Sequence, residues 1–437
     1  MMYKYMIFLW NIIIFVDMNR WIVAAFAVLW MLPLSAQSAR EEILAEPQKA
    51  GGVYAMYEQV PGQESRPPKG YKPFYISHYG RHGARYLLSD KEYARVVDLF
   101  ARAHEAGELT DAGENLFGRL QAYYRQMQYR EGELSRYGWE QHQFIARQMY
   151  AAYPDLFRRR PRVEAASTLL LRTLMSMNAF CTALQGCDPL LPIYAEGSRL
   201  NLKGICPHLK DNPFAQGEGV RFDVDDPWGG NLKRFAMENE PWESLADRYF
   251  RHRDWLRDAS DPVSFVRNLH TLVFNSTNAP TDLSFADVFT PEEAYRAWRV
   301  ENYRYWLGLG PLNTSEISLV EEIVRTADRD IAAGEPLVRL RFGHDSSLMA
   351  TLSLLGINTF GQMPASADEI EEVWRCYRIP MACNYRFVFY RNRAGEILFK
   401  CVLNGSDAKI PALTPVEGCF YRWSDFRALL AEKYHFS

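Results

Sequence analysis

Three apolar segments, each ending in a polar loop that opens into a helix, lie on either side of a long helical stretch. That arrangement leaves few folds open. Residues 74–77 (FYIS) predict a short buried strand that runs into a glycine-rich loop, with a helix over 90–106. An amphipathic helix is expected within 132–157, where Ile145, Met149 and Tyr153 fall at helical spacing. Residues 162–166 predict a second strand leading into a helix over 167–185. Residues 337–343 (LVRLRFG) predict a third, opening into SSLMATLSLLG. The stretch from about 189 to 332 is mostly helical and aromatic-rich; Thr290 before Pro291 marks an N-cap with proline at the first helical position. Segments 386–391 and 396–404 predict a hairpin turning at 392–395, and a last helix begins near Ser424. The pattern is α/β: a central, mainly parallel sheet flanked by helices, interrupted by an inserted, mostly α-helical cap domain. The core is expected over 50–188 and 325–437, and the cap over 189–324.

In such sheets ligands bind at the carboxyl ends of the strands, and both chemically unusual stretches of the chain fall there. The first is GRHGAR at 80–85. Arginine offers a planar fork of donors that matches phosphate oxygens and stays charged at any relevant pH. Gly80 and Gly83 let the backbone approach closely. Crowding by Arg81 and Arg85 disfavours an imidazolium, so His82 is expected to be neutral and nucleophilic, able to attack phosphorus. On these residues alone, a basic turn that binds nothing is an equal reading. The second stretch is GHDSS at 343–347. An alkoxide leaving from a phosphomonoester needs a proton, which Asp345 could supply, while His344 could hydrogen-bond a phosphoryl oxygen; on this pair alone, an aspartate capping the helix beside a buried histidine is the better reading. Arg172, on an otherwise apolar helix in STLLLRTLMSMNAF, is a third cation that needs an anionic partner, for which an ordinary ion pair would suffice. His78, four residues before His82, does not share a helical face with it and reads as structural. Arg158 to Arg160 read as a solvated edge. The aromatic residues between 228 and 306 read as core rather than as a sugar platform.

The net charge of -3 argues against general nucleic-acid binding, so any strongly positive site must be local. Two apolar runs, 1–16 and 21–34, are separated by Asp17 and Arg20 and followed by SAQSA. Read from Met18, this is a cleaved secretory signal, ending by residue 39, rather than an anchor; the first 17 residues then lie upstream of the true start. A periplasmic or secreted protein without stable membrane insertion follows. In that compartment disulfides are expected within each of the two groups of cysteines, 181–206 and 376–419. The odd count of seven leaves one thiol over. The spacing does not suggest a zinc or redox centre.

RHGAR at 81–85, STLLLRTLMSMNAF at 167–180 and GHDSSLMATLSLLG at 343–356, in that order, resemble the histidine acid phosphatases, the second branch of the histidine phosphatase superfamily. The resemblance spans most of the chain from about Tyr75. It implies that His82 is the phosphorylated nucleophile, that Arg81, Arg85, Arg172 and His344 bind phosphate, and that Asp345 is the proton donor. It implies no metal and no cofactor. The aromatic EEAYRAWRVENYRYW stretch is similar to the multiple inositol polyphosphate phosphatases. Those usually carry His-Ala-Glu where this chain has His344-Asp345-Ser346, and the proline often found two residues after RHGxR is here Leu87. The expected activity is hydrolysis of small-molecule phosphomonoesters, phytate and other inositol polyphosphates or sugar phosphates, through a covalent phosphohistidine. A phosphotransferase or mutase of the same superfamily is the alternative. A protein that captures phosphorylated sugars without turnover is a second, although it would need neither His82 nor Asp345. The oligomeric state is left open.

Overall fold

The computed structural model describes residues 37–209, 212–213 and 220–435. The expected signal segment lies outside these residues except at its end, where Ser38 caps helix α1 (Ala39–Ala45). In chain order the longer elements are then β1 (Lys72–Arg81), α2 (Asp90–Glu105), α3 (Asp111–Met127), α4 (Arg136–Ala152), β2 (Arg162–Ser167), α5 (Leu171–Cys187) and β3 (Ile193–Gly197). Helices α6 (Leu232–Asn239), α7 (Trp242–Tyr249), α8 (Arg253–Ala259), α9 (Pro262–Asn275), α10 (Pro291–Leu309) and α11 (Ile317–Ala333) follow before β4 (Leu337–Gly343). The chain closes with α12 (Asp345–Leu354), β5 (Asn384–Arg391), β6 (Ile397–Leu403), β7 (Ser406–Ala408), β8 (Tyr421–Arg422) and α13 (Trp423–Tyr434).

The strands form one sheet in the order β3-β2-β4-β1-β5-β6-β7, with β8 on β6. Its first four strands are parallel and the rest antiparallel. β1 is central and buried almost from end to end. Being covered on both faces, it reads as a continuous rather than an alternating apolar run. The expected four-residue strand therefore grows to include Arg81 itself. One face of the sheet packs Ile76, Val338, Leu340 and Phe342 against Ile145 and Met149 of α4 and Phe180 of α5. The other packs Tyr75 and Tyr79 into a larger core that continues into the helices between β3 and β4. That core holds the aromatic run: Trp298, Tyr303 and Trp306 are fully buried, and Trp306 stacks on Trp228 at 5.3 Å. α10 starts as expected, with Thr290 and Glu293 closing a reciprocal capping box behind Pro291. Such a cap stabilises by about 1 kcal/mol.

Two expectations change. α5 begins at Leu171 rather than at residue 167, because the chain leaves the sheet through a non-helical bend at 168–170. The expected disulfides are absent: all seven cysteines are free thiols. Cys181 and Cys187 lie six residues apart on α5, roughly 9 Å along its axis and beyond disulfide reach. Cys206 instead receives a hydrogen bond from the Ser347 hydroxyl at 3.2 Å.

Candidate active site

Register builds the site. β1 and β4 pair in parallel with Arg81 opposite Gly343, so the next residues, His82 and His344, emerge side by side at the carboxyl edge. Their rings pack edge to face with centroids 5.7 Å apart. β2 pairs Ser167 with Phe342 on the other side of β4. Thr168 then reaches His344, with its hydroxyl 3.2 Å from Nε2. The chain leading from β2 turns at 168–170 into α5, whose second residue is Arg172.

The loop after β1 is pinned from below. The His82 amide donates to the Gly343 carbonyl, Gly83 to Ser176 Oγ at 3.1 Å, and Ala84 to Gln141 Oε1 at 2.8 Å. Gly83 lies against Gly138 in the first turn of α4. A Cβ on Gly83 would stand 2.5 Å from the Gly138 carbonyl oxygen, and one on Gly138 would stand 2.3 Å from that of Ala84. Only two glycines permit this contact.

Six side chains then converge. His82 Nδ1 lies 2.9 Å from the Gly83 carbonyl oxygen, to which it can only donate, so Nε2 carries the lone pair. Burial, reinforced by Arg172, Arg81 and Arg85, holds the imidazole well below its ordinary pKa, so it is neutral. Arg81 is fully buried and spends Nη1 on the carbonyls of Val53 and Ile379. Its Nη2 lies 3.0 Å from Asp345 Oδ2, an ion pair without hydrogen-bond alignment. Arg81 Nε, Arg85 Nε and Arg172 Nε have no hydrogen-bond partner among the described residues. Burial, with Arg85 next in importance, pulls the Arg172 guanidinium down to about 10. Burial and Arg172 push His344 down to about 3. Burial raises the Asp345 carboxyl, but Arg81 and Arg85 outweigh it and hold the group below the usual range. Unsatisfied buried donors and crowded positive charge together cost several kcal/mol unless an anion meets them.

All of these but Arg81 line a cavity of about 580 Å³ between the strand ends and the helices of α9 and α10. Arg95 of α2, Arg267 of α9 and Arg304 of α10 line its outer part. His78 is not part of it; it is buried against Phe180 and Phe342. Arg158 and Arg160 pair with Asp155 and Asp188 at the surface.

No motif in the chain singles out His208, which also lines the cavity. Its Nδ1 pairs with the fully buried Glu316, and its Nε2 lies 3.0 Å from Ser346 Oγ. Burial lowers His208, but its contacts with Cys206 and Glu316 outweigh this and raise it to about 10. With both ring nitrogens donating, the Ser346 hydroxyl accepts, and its own proton is left for another acceptor. Gln141 and Ser176 were equally hidden, although a glycine inside the first turn of α4 was a visible signal.

No protein-family model and no curated protein sequence matches the chain. Solved structures do. The multiple inositol polyphosphate phosphatase of Bifidobacterium longum, in complex with inositol hexasulfate, superposes with a TM-score of 0.73 at 16% identity, covering 88% of this chain and 98% of that one. The phytase from D. castellii superposes with a TM-score of 0.66 at 14% identity, covering 92% and 88%. The fold is that of these phosphatases. At such identity the likeness reaches architecture, and the chemistry rests on the side chains described above.

Proposed function

We propose that this protein is an exported phosphomonoesterase of the histidine acid phosphatase type, with 189–324 acting as a cap over a core formed by 50–188 and 325–437. One observation carries the reading: a neutral, buried imidazole with Nε2 open to a cavity where three arginines hold unsatisfied donors. A phosphoryl dianion satisfies those donors and sits against Nε2. Arg81, Arg85 and Arg172 bind its oxygens, with His344 a further donor. Nε2 forms a bond to phosphorus as the ester P–O bond breaks, and the leaving oxygen takes a proton from Asp345. Water then attacks the phosphohistidine, giving its proton back to the Asp345 carboxylate, and His82 leaves neutral. The steps use protein groups alone.

The outer arginines, Arg95, Arg267 and Arg304, favour a substrate with more than one phosphate, as in inositol polyphosphates. The B. longum neighbour, whose structure holds inositol hexasulfate, supports that class. Phosphate release from phytate and from p-nitrophenyl phosphate, with chelator present, tests the reading. Activity is expected to survive chelation. His82→Ala is expected to lower kcat by roughly six orders of magnitude, the scale seen when a covalent nucleophile is lost. Acid-quenched enzyme turning over labelled substrate should retain label only when His82 is present. Undiminished turnover by His82→Ala overturns the mechanism.

A further inference from the structure

A second and larger cavity, about 960 Å³, lies on one face of the β3-β2-β4 edge of the sheet, walled by α11 and by the turn Arg199–Gly204. Arg341 lies in it and is only 5% exposed. Its one hydrogen bond runs from Nη1 to Ser77 Oγ at 3.0 Å, and no carboxylate among the described residues lies within ion-pair distance. Glu322 attracts it from beyond that distance, but both Glu322 oxygens are engaged by Arg325 and Thr326. Glu164 is shared by Arg162 and Arg339, Asp330 by Arg329 and Arg339, and Glu322 is taken by Arg325 at 2.5 Å. Six cations line the cavity (Arg162, Lys203, Arg325, Arg329, Arg339 and Arg341) against three carboxylates, Glu164, Glu196 and Glu322. A buried guanidinium without a carboxylate in contact is costly, and burial accordingly pulls Arg341 below its ordinary pKa. An anion against Arg341 removes that cost.

We propose that this cavity is a second binding site, distinct from the candidate active site, for small phosphate-bearing anions, with Arg341 as its buried anchor. Phosphate fits best among anions because guanidinium forks match its oxygens in pairs. The placement also ties it to the first site. Arg341 and Ser77 bridge β4 and β1, the two strands that end at His344 and His82. The segment that walls this cavity through Leu200 and Ile205 continues to His208 and Leu209, which wall the other.

Calorimetric titration of the full chain with inorganic phosphate is expected to show two sites. Arg172→Ala should weaken only the first, and Arg341→Met only the second, each roughly tenfold or more, as for loss of one charge-assisted contact. Because Arg341 is buried and its replacement risks misfolding, Lys203→Glu with Arg325→Glu, both exposed, provides an independent reading. That pair should abolish the second site while leaving turnover of p-nitrophenyl phosphate unchanged. A His82→Ala chain titrated with inositol hexakisphosphate distinguishes an organophosphate site from one for free phosphate. A single phosphate site, or a second one untouched by the double reversal, overturns the proposal. The inference stands apart from the phosphatase reading: two phosphate sites without turnover would sink that reading alone, and turnover with one site would sink this one alone.

Discussion

Asp345 has two demands on it. As it stands in the structure it pairs with Arg81 and lies below the usual carboxylate range, hence ionised, whereas a proton donor must enter the first step protonated. A phosphoryl dianion resolves this. It draws the charge of Arg81, Arg85 and Arg172 and adds negative charge beside the carboxyl, and both effects raise its pKa. The acid is therefore set by substrate binding. As pH rises through the pKa of Asp345 in the complex, the protonated fraction falls and kcat falls with it. On the acid side His82 stays neutral, because its own pKa is held well below the ordinary value. A kcat profile with phytate should thus be highest in mildly acidic solution and decline toward neutrality. Asp345→Asn should lower kcat for phytate by about 10²–10⁴ and remove the decline, yet cost p-nitrophenyl phosphate, whose leaving group needs no proton, less than tenfold. Equal losses on both substrates would remove Asp345 from the role of acid.

At the scale of elements, the contact between the β1 loop and α4 sets the position of His82. Replacing a glycine inside a helix by alanine ordinarily stabilises by about 1 kcal/mol. At Gly138 the new Cβ would stand 2.3 Å from the Ala84 carbonyl oxygen, so the sign reverses. Overpacking of this kind costs about 1–3 kcal/mol, and the loop that must yield is the one carrying His82, the proposed nucleophile. Gly138→Ala should therefore lower both the thermal midpoint and kcat for p-nitrophenyl phosphate; a variant more stable and fully active would show the contact to be soft. The same region shows what a sequence can display. β1, β2 and β4, with their loops, were legible because apolar runs end at GRHGAR, STLLL and GHDSS. The α5 start was misplaced because helix propensity continues through Thr168–Leu170, whereas pairing of the Thr168 amide with the Phe342 carbonyl ties Thr168 to β4 and the next two residues bend before the helix begins. His208, Gln141 and Ser176 were illegible, since each acts through a partner distant in sequence. The cysteines misled because their grouping along the chain says nothing about their spacing in the fold.

Across the whole molecule, the cavity is a joint product of two layers. The strand ends bring Arg85, Arg172 and His82, each placed by backbone pairing, while the helical insertion between β3 and β4 brings Arg267 and Arg304 from the opposite side. In the proposed reading, the inner set faces a single phosphoryl group. The outer set meets whatever else the substrate carries, so recognition and chemistry separate in space. Arg304 is partly engaged by Glu301 at 3.2 Å, whereas neither Arg95 nor Arg267 lies within ion-pair distance of a carboxylate among the described residues. These two are the cations best placed for a second phosphate. A contact between charged groups in a partly exposed cavity contributes toward the lower end of about 1.5–3 kcal/mol, or roughly tenfold in affinity for each arginine. Arg95→Ala with Arg267→Ala should therefore raise KM for phytate by one to two orders of magnitude, on the order of two such contacts, with kcat little changed. For p-nitrophenyl phosphate, which has nothing to offer the outer arginines, KM should stay within about threefold of wild type, less than one such contact is worth. The wild-type preference for phytate should also shrink as salt is added, because exposed charges are screened over about 10 Å at 0.1 M ionic strength. If the double variant raises KM for both substrates alike, the outer arginines act on the fold of the cavity rather than on the substrate, and the preference for polyphosphorylated substrates must come from elsewhere.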